Sequence, residues 1–282
     1  YHILTTSEEE DQLYSVRDGK KIFRTEHQVD TLLAKVNLPP NARVLDYGCG
    51  KAAALKALRN NRDDVVPHVF DVGSQYQDFW NDFVRAENQT VNEVPEEWAG
   101  YFDAVISFFA LEHVAEPKAF VAEAYRLLRD GGTFYFLVPN LFANSADLVV
   151  ADHVNHFSER SLHRLLSDAG FAVCEIDGAA HNSAWVVVAE KTNVNSEPLL
   201  AISVAGKVNA MAEYWGEFGD RVRAFEKAND TEAAIYGSGF YGAFIHASLD
   251  RAKSVECFLD QNPHRQKQTL LGKPILAPEA LP

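Results

Sequence analysis

The run Val44-Leu45-Asp46-Tyr47-Gly48-Cys49-Gly50-Lys51-Ala52 limits what this chain can fold into more than any other feature. It reads as a short apolar strand closed by an acid, two glycines separated by one residue, and the start of a helix. Glycine lets the backbone turn tightly and come close to a ligand that a Cβ would exclude. A helix beginning at such a turn aims its unpaired N–H groups at the ligand's polar end. Asp71 closes the next strand candidate, 21 residues beyond Gly50. A carboxylate placed there can accept hydrogen bonds from both ribose hydroxyls.

The surrounding sequence alternates between β-rich and helical runs. Strand candidates are 43–46, 68–72, 90–94, 104–107, 133–138, 172–176 and 184–189, with helical stretches at 52–59, 78–87, 118–128 and 161–169. Alternation of this kind predicts βαβ units in an α/β fold: a doubly wound, mostly parallel, seven-stranded Rossmann-like sheet. Asp130-Gly131-Gly132 and Gly170 are expected to end the helices before them. Upstream, residues 1–30 begin polar and acidic (Glu8-Glu9-Glu10-Asp11) and read as a flexible start. A helix is predicted over about 26–36, where Val29, Leu32, Leu33 and Val36 follow helical spacing; Pro39-Pro40 stops it.

A polar break over 192–198 precedes a stripe of Leu199, Ile202, Ala205, Val208, Ala212, Trp215, Phe218, Val222 and Phe225. That spacing predicts one long amphipathic helix, expected to pack against the catalytic domain. A second strand–turn–helix unit follows, with strands at 233–236 and 255–259 around Gly237-Ser238-Gly239-Phe240-Tyr241-Gly242. The expected organisation is an N-terminal segment and helix (1–39), a catalytic domain (40–191), a linker with the long helix (192–230) and a small C-terminal Rossmann-like unit (231–282).

Charge narrows the functions. Forty acidic against 26 basic side chains give a net charge of −14, a field that repels nucleic acid. No apolar run approaches the roughly 20 residues of a membrane span, and no signal peptide is recognisable, so no membrane partner is expected. Cys49, Cys174 and Cys257 form no C-x-x-C pair, which suits a reducing, cytoplasmic setting.

Asp46 bears on the ligand. An acid directly before the glycines would repel a pyrophosphate, whereas it would attract the amino group and sulfonium of S-adenosyl-L-methionine. The run Asp-Tyr-Gly-Cys-Gly resembles the glycine motif of class I S-adenosylmethionine-dependent methyltransferases, with Ala52 where that family often has a third glycine. Residues 102–107 followed by Leu111-Glu112-His113-Val114 resemble its fourth strand and loop, and 127–139 resemble its next helix, turn and strand. Asp152-His153-Val154-Asn155-His156-Phe157-Ser158 resembles a segment of methyltransferases in sugar and polysaccharide pathways. The resemblance implies a cofactor site at Asp46, Tyr47, Gly48, Cys49 and Gly50, with Asp71 on the ribose, Asn92 at the adenine edge, and Ser107 nearby. In similar sugar C-methyltransferases the Glu-His pair has an active-site role, which implicates Glu112 and makes His113 the candidate base.

His153 and His156 are further candidates, since a neutral imidazole suits proton removal near neutral pH. Their H-x-x-H spacing also invites a metal, but no third ligand at helical spacing accompanies it, and no metal is expected. Residues 258–263 and 272–279 resemble the C-terminal domain of sugar C-methyltransferases, a Rossmann-like domain that helps hold a nucleotide sugar. The cysteine cluster of that family's N-terminal zinc-binding segment does not occur here. The expected function is methyl transfer from S-adenosyl-L-methionine to carbon or oxygen of a sugar or nucleotide-sugar acceptor in carbohydrate or polysaccharide biosynthesis. Two alternatives stay open. Gly237, Gly239 and Gly242, with Asp260 18 residues on, fit an NAD fingerprint and hence an oxidoreductase. The chain could also be a non-catalytic nucleotide-sugar-binding module.

Overall fold

The computed structural model describes residues 11–192, 203–229 and 231–280. The chain opens with an antiparallel hairpin, β1 (Leu13–Arg17) and β2 (Lys20–Phe23). Asp18 and Gly19 turn it, both in the left-handed region at φ 50° and 76°, the conformation that two-residue hairpin loops require. Part of the segment read as a flexible start is therefore ordered, and Asp18-Gly19 was its legible signal. The acidic Glu8–Glu10 run lies outside the described residues.

Next come α1 (Arg24–Lys35), β3 (Arg43–Tyr47), α2 (Ala53–Asn61), β4 (Val66–Asp71), β5 (Gln89–Val91), β6 (Phe102–Phe108) and α3 (Pro117–Leu127). They are followed by β7 (Leu128–Pro139), α4 (Glu159–Asp168), β8 (Phe171–Asp177) and β9 (Ala184–Lys191). The sheet order is β5-β4-β3-β6-β7-β9-β8. Only β9 runs against the rest, antiparallel to both β7 and β8. This is the expected mostly parallel, seven-stranded sheet.

Both faces of that sheet are covered, which explains the nearly continuous apolar strands. Along β7, Phe134, Phe136 and Val138 join one core, with Val121, Ala124 and Leu127 of α3 and Leu162 and Leu166 of α4. Tyr135 and Leu137 join the other, with Val29 and Leu32 of α1 and Leu55 and Leu58 of α2. Local signals set the helix starts: Pro117 opens α3, and a Ser158–Ser161 capping box opens α4, satisfying N–H groups that would otherwise lack partners.

Two local expectations fail in this region. Residues 78–87 form no α-helix, only a 3-10 turn at Gln77–Phe79 and further turns. Trp80 within that run is fully buried and hydrogen-bonded to the glycine loop, so tertiary contact overrides a modest helical pattern. Asp130-Gly131-Gly132 does not terminate a helix either; α3 ends at Leu127 and those residues lie within β7. Gly131 takes φ 71° there, and a Cβ on Gly132 would stand 2.9 Å from the Arg129 carbonyl.

The described residues separate into two compact units, one spanning 25–192 and the other combining 11–24 with 203–229 and 231–280. The second contains the hairpin, α5 (Ala205–Ala228), β10 (Ala233–Tyr236), α6 (Phe240–Ser248), β11 (Val255–Leu259), β12 (Thr269–Leu270) and β13 (Lys273–Leu276). Its sheet has four strands in the order β10-β11-β13-β12, so the expected lone βαβ unit gains two more strands. Asn262 Nδ2 donates to the Asp11 carbonyl at 3.0 Å and Lys21 Nζ to the Gln261 carbonyl at 2.9 Å, tying the hairpin to this unit. The long helix belongs to this unit too. Trp215 and Phe218 meet Phe244 of α6 at ring separations of 5.3 and 5.4 Å. Phe225, expected in the buried stripe, is exposed; Leu199 and Ile202 lie outside the described residues.

Candidate active site

Beyond β3 the sheet order reverses, with β4 and β5 to one side and β6 and β7 to the other. Open α/β sheets bind ligands in the crevice at such a switch point, past the strands' carboxyl ends. The glycine turn sits there. Gly48 and Gly50 take φ 77° and 50°, conformations that glycine adopts without strain. A Cβ on Gly48 would lie 2.8 Å from Cβ of Ala110, the residue preceding the loop after β6. The amides of Gly48 and Cys49 donate to the Phe70 carbonyl at 2.9 and 3.1 Å. Gly50 is held on both sides: its N–H donates to Asp71 Oδ2 at 2.7 Å, and its carbonyl accepts from Trp80 Nε1 at 2.7 Å. Trp80 is a brace that the sequence reading missed. Ala52, standing where the resembling family often has a third glycine, is itself left-handed at φ 53°.

The predicted cofactor residues divide by environment. Asp46 is 2% exposed, and burial, then the charge of Asp71, push its pKa from 3.8 up to about 8. Asp71 is buried beside it. Asn92 is exposed, left-handed at φ 67°, and donates its N–H to the Asp71 carbonyl at 3.0 Å. Cys49 is half-buried, its thiol pKa raised by burial and by the charges of Asp46 and Asp71. Two others have their side chains engaged within the protein. The Tyr47 ring packs in the core against Phe70 and Phe120, at ring separations of 5.0 and 4.3 Å, which leaves its backbone as the part near the turn. The Ser107 hydroxyl is buried and donates to the Tyr47 carbonyl at 2.7 Å, bracing β3 against β6.

The histidines are assembled from two segments far apart in sequence. Leu111–His113 form a 3-10 turn after β6. The Glu112 carbonyl accepts the amides of Val154 and Asn155 at 2.9 and 3.1 Å, and the Asn155 side-chain amide donates to the Val114 carbonyl at 2.6 Å. The 152–157 loop is thereby pinned over the turn. His113 Nδ1 lies 2.9 Å from the Asp152 carbonyl, and its Nε2 lies 4.0 Å from Glu112 Oε1. His153 Nδ1 and His156 Nδ1 contact the two oxygens of Asp147 at 2.6 and 2.9 Å. Asp147, only 1% exposed, was not singled out by sequence; its one signal was an acid six and nine residues before the two histidines.

At His153, burial favours the neutral ring, but the Asp147 hydrogen bond and the charges of Glu112, Asp147 and Asp152 outweigh it, and the pKa rises. The H-x-x-H pair therefore shares a carboxylate through its Nδ1 atoms. The fold assembles a different set, without His156: Glu112, His113 and His153 bring ligand atoms within 4.8 Å of one another.

A doubly wound sheet with one reversed strand, a glycine turn at its switch point and an acid on the neighbouring strand define a Rossmann-like methyltransferase domain. Residues 21–176 match the family described as Methyltransferase domain, and the chain belongs to that family. The ubiquinone biosynthesis O-methyltransferase of Xanthomonas campestris pv. campestris is 33% identical over 118 residues, 40% of this chain and 49% of that protein. The chain spans about half the length of the curated relatives it matches. Among solved structures, a chain in complex with the Haloferax volcanii Trm112 methyltransferase activator superposes with a TM-score of 0.51 at 18% identity, covering 60% of this chain and 91% of that one. The cyclase SpnF gives 0.51 and 18%, covering 65% and 87%. At such identities these likenesses speak for the fold alone.

The family implies S-adenosyl-L-methionine as cofactor, and the residues present fit it. Gly50 leaves open space beside Asp71 at the turn, and a buried carboxylate with a raised pKa is a site that a cationic group would favour. Among the described residues no helix is long and apolar enough to cross a membrane.

Proposed function

We propose that the protein transfers a methyl group from S-adenosyl-L-methionine to a hydroxyl or carbon of a sugar or nucleotide-sugar acceptor. One observation supports this reading: Gly48 lies close against Ala110, three residues before His113, so the proposed cofactor turn neighbours the loop that carries the proposed base. When bound, the cofactor supplies an electrophilic methyl carbon on a sulfonium. Asp46 and the Gly48–Gly50 turn hold its methionine part, Asp71 its ribose and Asn92 its adenine edge, while Tyr47 and Ser107 act through the backbone of β3. His113 takes the acceptor's proton on Nε2, its Nδ1–H being held by the Asp152 carbonyl; His153 and His156 are the other groups at that mouth. Holding the nucleophile in line with the methyl carbon is the remaining contribution, and the largest.

The resemblance of the 152–158 segment to sugar-pathway methyltransferases supports a polyhydroxylated acceptor, as does the density of hydrogen-bonding groups there. The relative named for ubiquinone biosynthesis supports oxygen rather than carbon as the atom methylated. The second glycine loop is less suited to a nucleoside. Its acid, Asp260, accepts from Ser238 N–H at 2.9 Å on Oδ2 and from Asn262 N–H at 2.8 Å on Oδ1, whereas among the described residues Asp71 accepts a loop amide on Oδ2.

Calorimetry with S-adenosylhomocysteine tests the reading. The unmodified protein should bind it, Asp71→Ala should weaken binding by roughly 10–100-fold, in keeping with about 1.5–3 kcal/mol for hydrogen bonds to a charged acceptor, and Gly239→Val should leave it within a few-fold. No binding by the unmodified protein, or NADH binding that depends on Gly239, refutes it. Methyl incorporation across a panel of sugar nucleotides then tests the acceptor class.

A further inference from the structure

We propose that Glu112, His113 and His153 form a binding site for a divalent first-row transition-metal ion. The use made of that ion rests on the methyltransferase reading; its binding does not. Two imidazoles and one carboxylate are a donor set for Zn²⁺, Mn²⁺, Fe²⁺ or Co²⁺, whereas Mg²⁺ and Ca²⁺ prefer oxygen alone. Ligand atoms at about 2.0–2.2 Å from one ion in tetrahedral array stand roughly 3.3–3.6 Å apart. His113 Nε2 and Glu112 Oε1 are 4.0 Å apart and the whole set lies within 4.8 Å, so closing on an ion takes side-chain shifts on the order of an ångström.

The supporting groups are arranged as a metal site needs them. Metal-bound histidines characteristically donate their other ring N–H to a carboxylate or a carbonyl, which fixes tautomer and orientation. Here both do: His153 Nδ1 on Asp147 at 2.6 Å and His113 Nδ1 on the Asp152 carbonyl at 2.9 Å. Each ring therefore presents Nε2. The rings stand nearly perpendicular, 79° apart with centroids at 4.8 Å, edge-on rather than stacked. The amides of Val154 and Asn155 on the Glu112 carbonyl set the distance between the two contributing segments. Three protein ligands leave open positions. An acceptor hydroxyl taking one of them would be made more acidic by the ion, and His113 would then serve as a ligand rather than as the base.

The test uses the full chain, stripped with a chelator and titrated with Zn²⁺ and Mn²⁺ alone by calorimetry. S-adenosylhomocysteine binding is measured on every sample as a report of folding and of the cofactor site. One equivalent of metal should bind. His153→Gln and Glu112→Gln should each weaken it at least 100-fold, and Asp147→Asn, which removes only the support of His153, by roughly 10–100-fold. His163→Gln, outside the cluster on α4, should leave it unchanged. His113→Gln, on the other segment from His153, repeats the test if the buried Glu112 variant fails to fold. Cofactor binding without stoichiometric metal binding overturns the proposal and leaves the methyltransferase reading standing. Metal binding that survives both His113→Gln and His153→Gln overturns it as well. Metal binding without cofactor binding upholds the site and sinks the cofactor reading.

Discussion

Replacing Asp46 with asparagine should stabilise the ligand-free protein while impairing cofactor binding, because the fold buries a carboxylate that only a cationic ligand compensates. Burial and the neighbouring Asp71 raise the Asp46 pKa from 3.8 to about 8. The protonated form is thus favoured in the folded chain. Its contribution to stability is fully present below pH 3.8 and is lost as pH rises through 8. At 1.36 kcal/mol per unit, the loss between pH 5 and pH 8 is about 3–4 kcal/mol. For a unit of this size that is roughly 10 °C in Tm. Asparagine has no charge to bury, so the gap in Tm between Asp46→Asn and the unmodified protein should widen across that range.

Cofactor binding should respond oppositely. If the cofactor's cationic groups require ionised Asp46, apparent affinity rises by more than tenfold from pH 6 to pH 8, and nearly one proton is released per cofactor bound at pH 7. Calorimetry in buffers of different ionisation enthalpy measures that proton, and differential scanning calorimetry from pH 5 to 8 measures the stability arm. Equal pH slopes for the two proteins, together with binding free of proton release, would refute the reasoning.

Two further outcomes follow from the packing. His68 is buried with its ring edge-on to Trp98, Tyr101 and Phe102, and burial, with the charge of Arg43, lowers its pKa from 6.5 to about 4. Its contribution is present above pH 6.5 and lost as pH falls through 4, about 3 kcal/mol in all, so urea denaturation of His68→Phe should lack that acid limb. At Ala52, relief of the left-handed strain at φ 53°, about 1–2 kcal/mol, is offset by loss of a buried methyl worth about 0.8 kcal/mol and by glycine's entropy. Ala52→Gly should stay within about 1 kcal/mol of the unmodified protein, whereas Ala52→Val should lose more than 2 kcal/mol; equal stability of the two variants would contradict the assigned backbone conformation.

The sequence by itself determined the methyltransferase fold and the glycine turn within it. Strand and helix periodicities are local, and a βαβ alternation admits few arrangements, so the seven-stranded sheet was legible from residues 43–189. The glycine turn and Asp71 were legible for the same reason: a backbone that must turn at a strand end leaves glycines in the sequence, and the next strand end follows one helix later. Asp18-Gly19 was equally readable as a hairpin turn and passed unnoticed. What only the tertiary structure decided depends on contacts between distant segments. No spacing near residue 80 announces that Trp80 will hold the Gly50 carbonyl at the cost of a helix. Nor does the stripe on α5 name its partner; it would fit any apolar face, and it belongs with α6. The histidine cluster is the clearest case. Glu112 and His113 come from the loop after β6 and His153 from a loop about 40 residues later, and Asp147 joins them through a third segment. Their convergence is set by main-chain hydrogen bonds between loops and by the order in which the strands pair, neither of which leaves a period in the sequence.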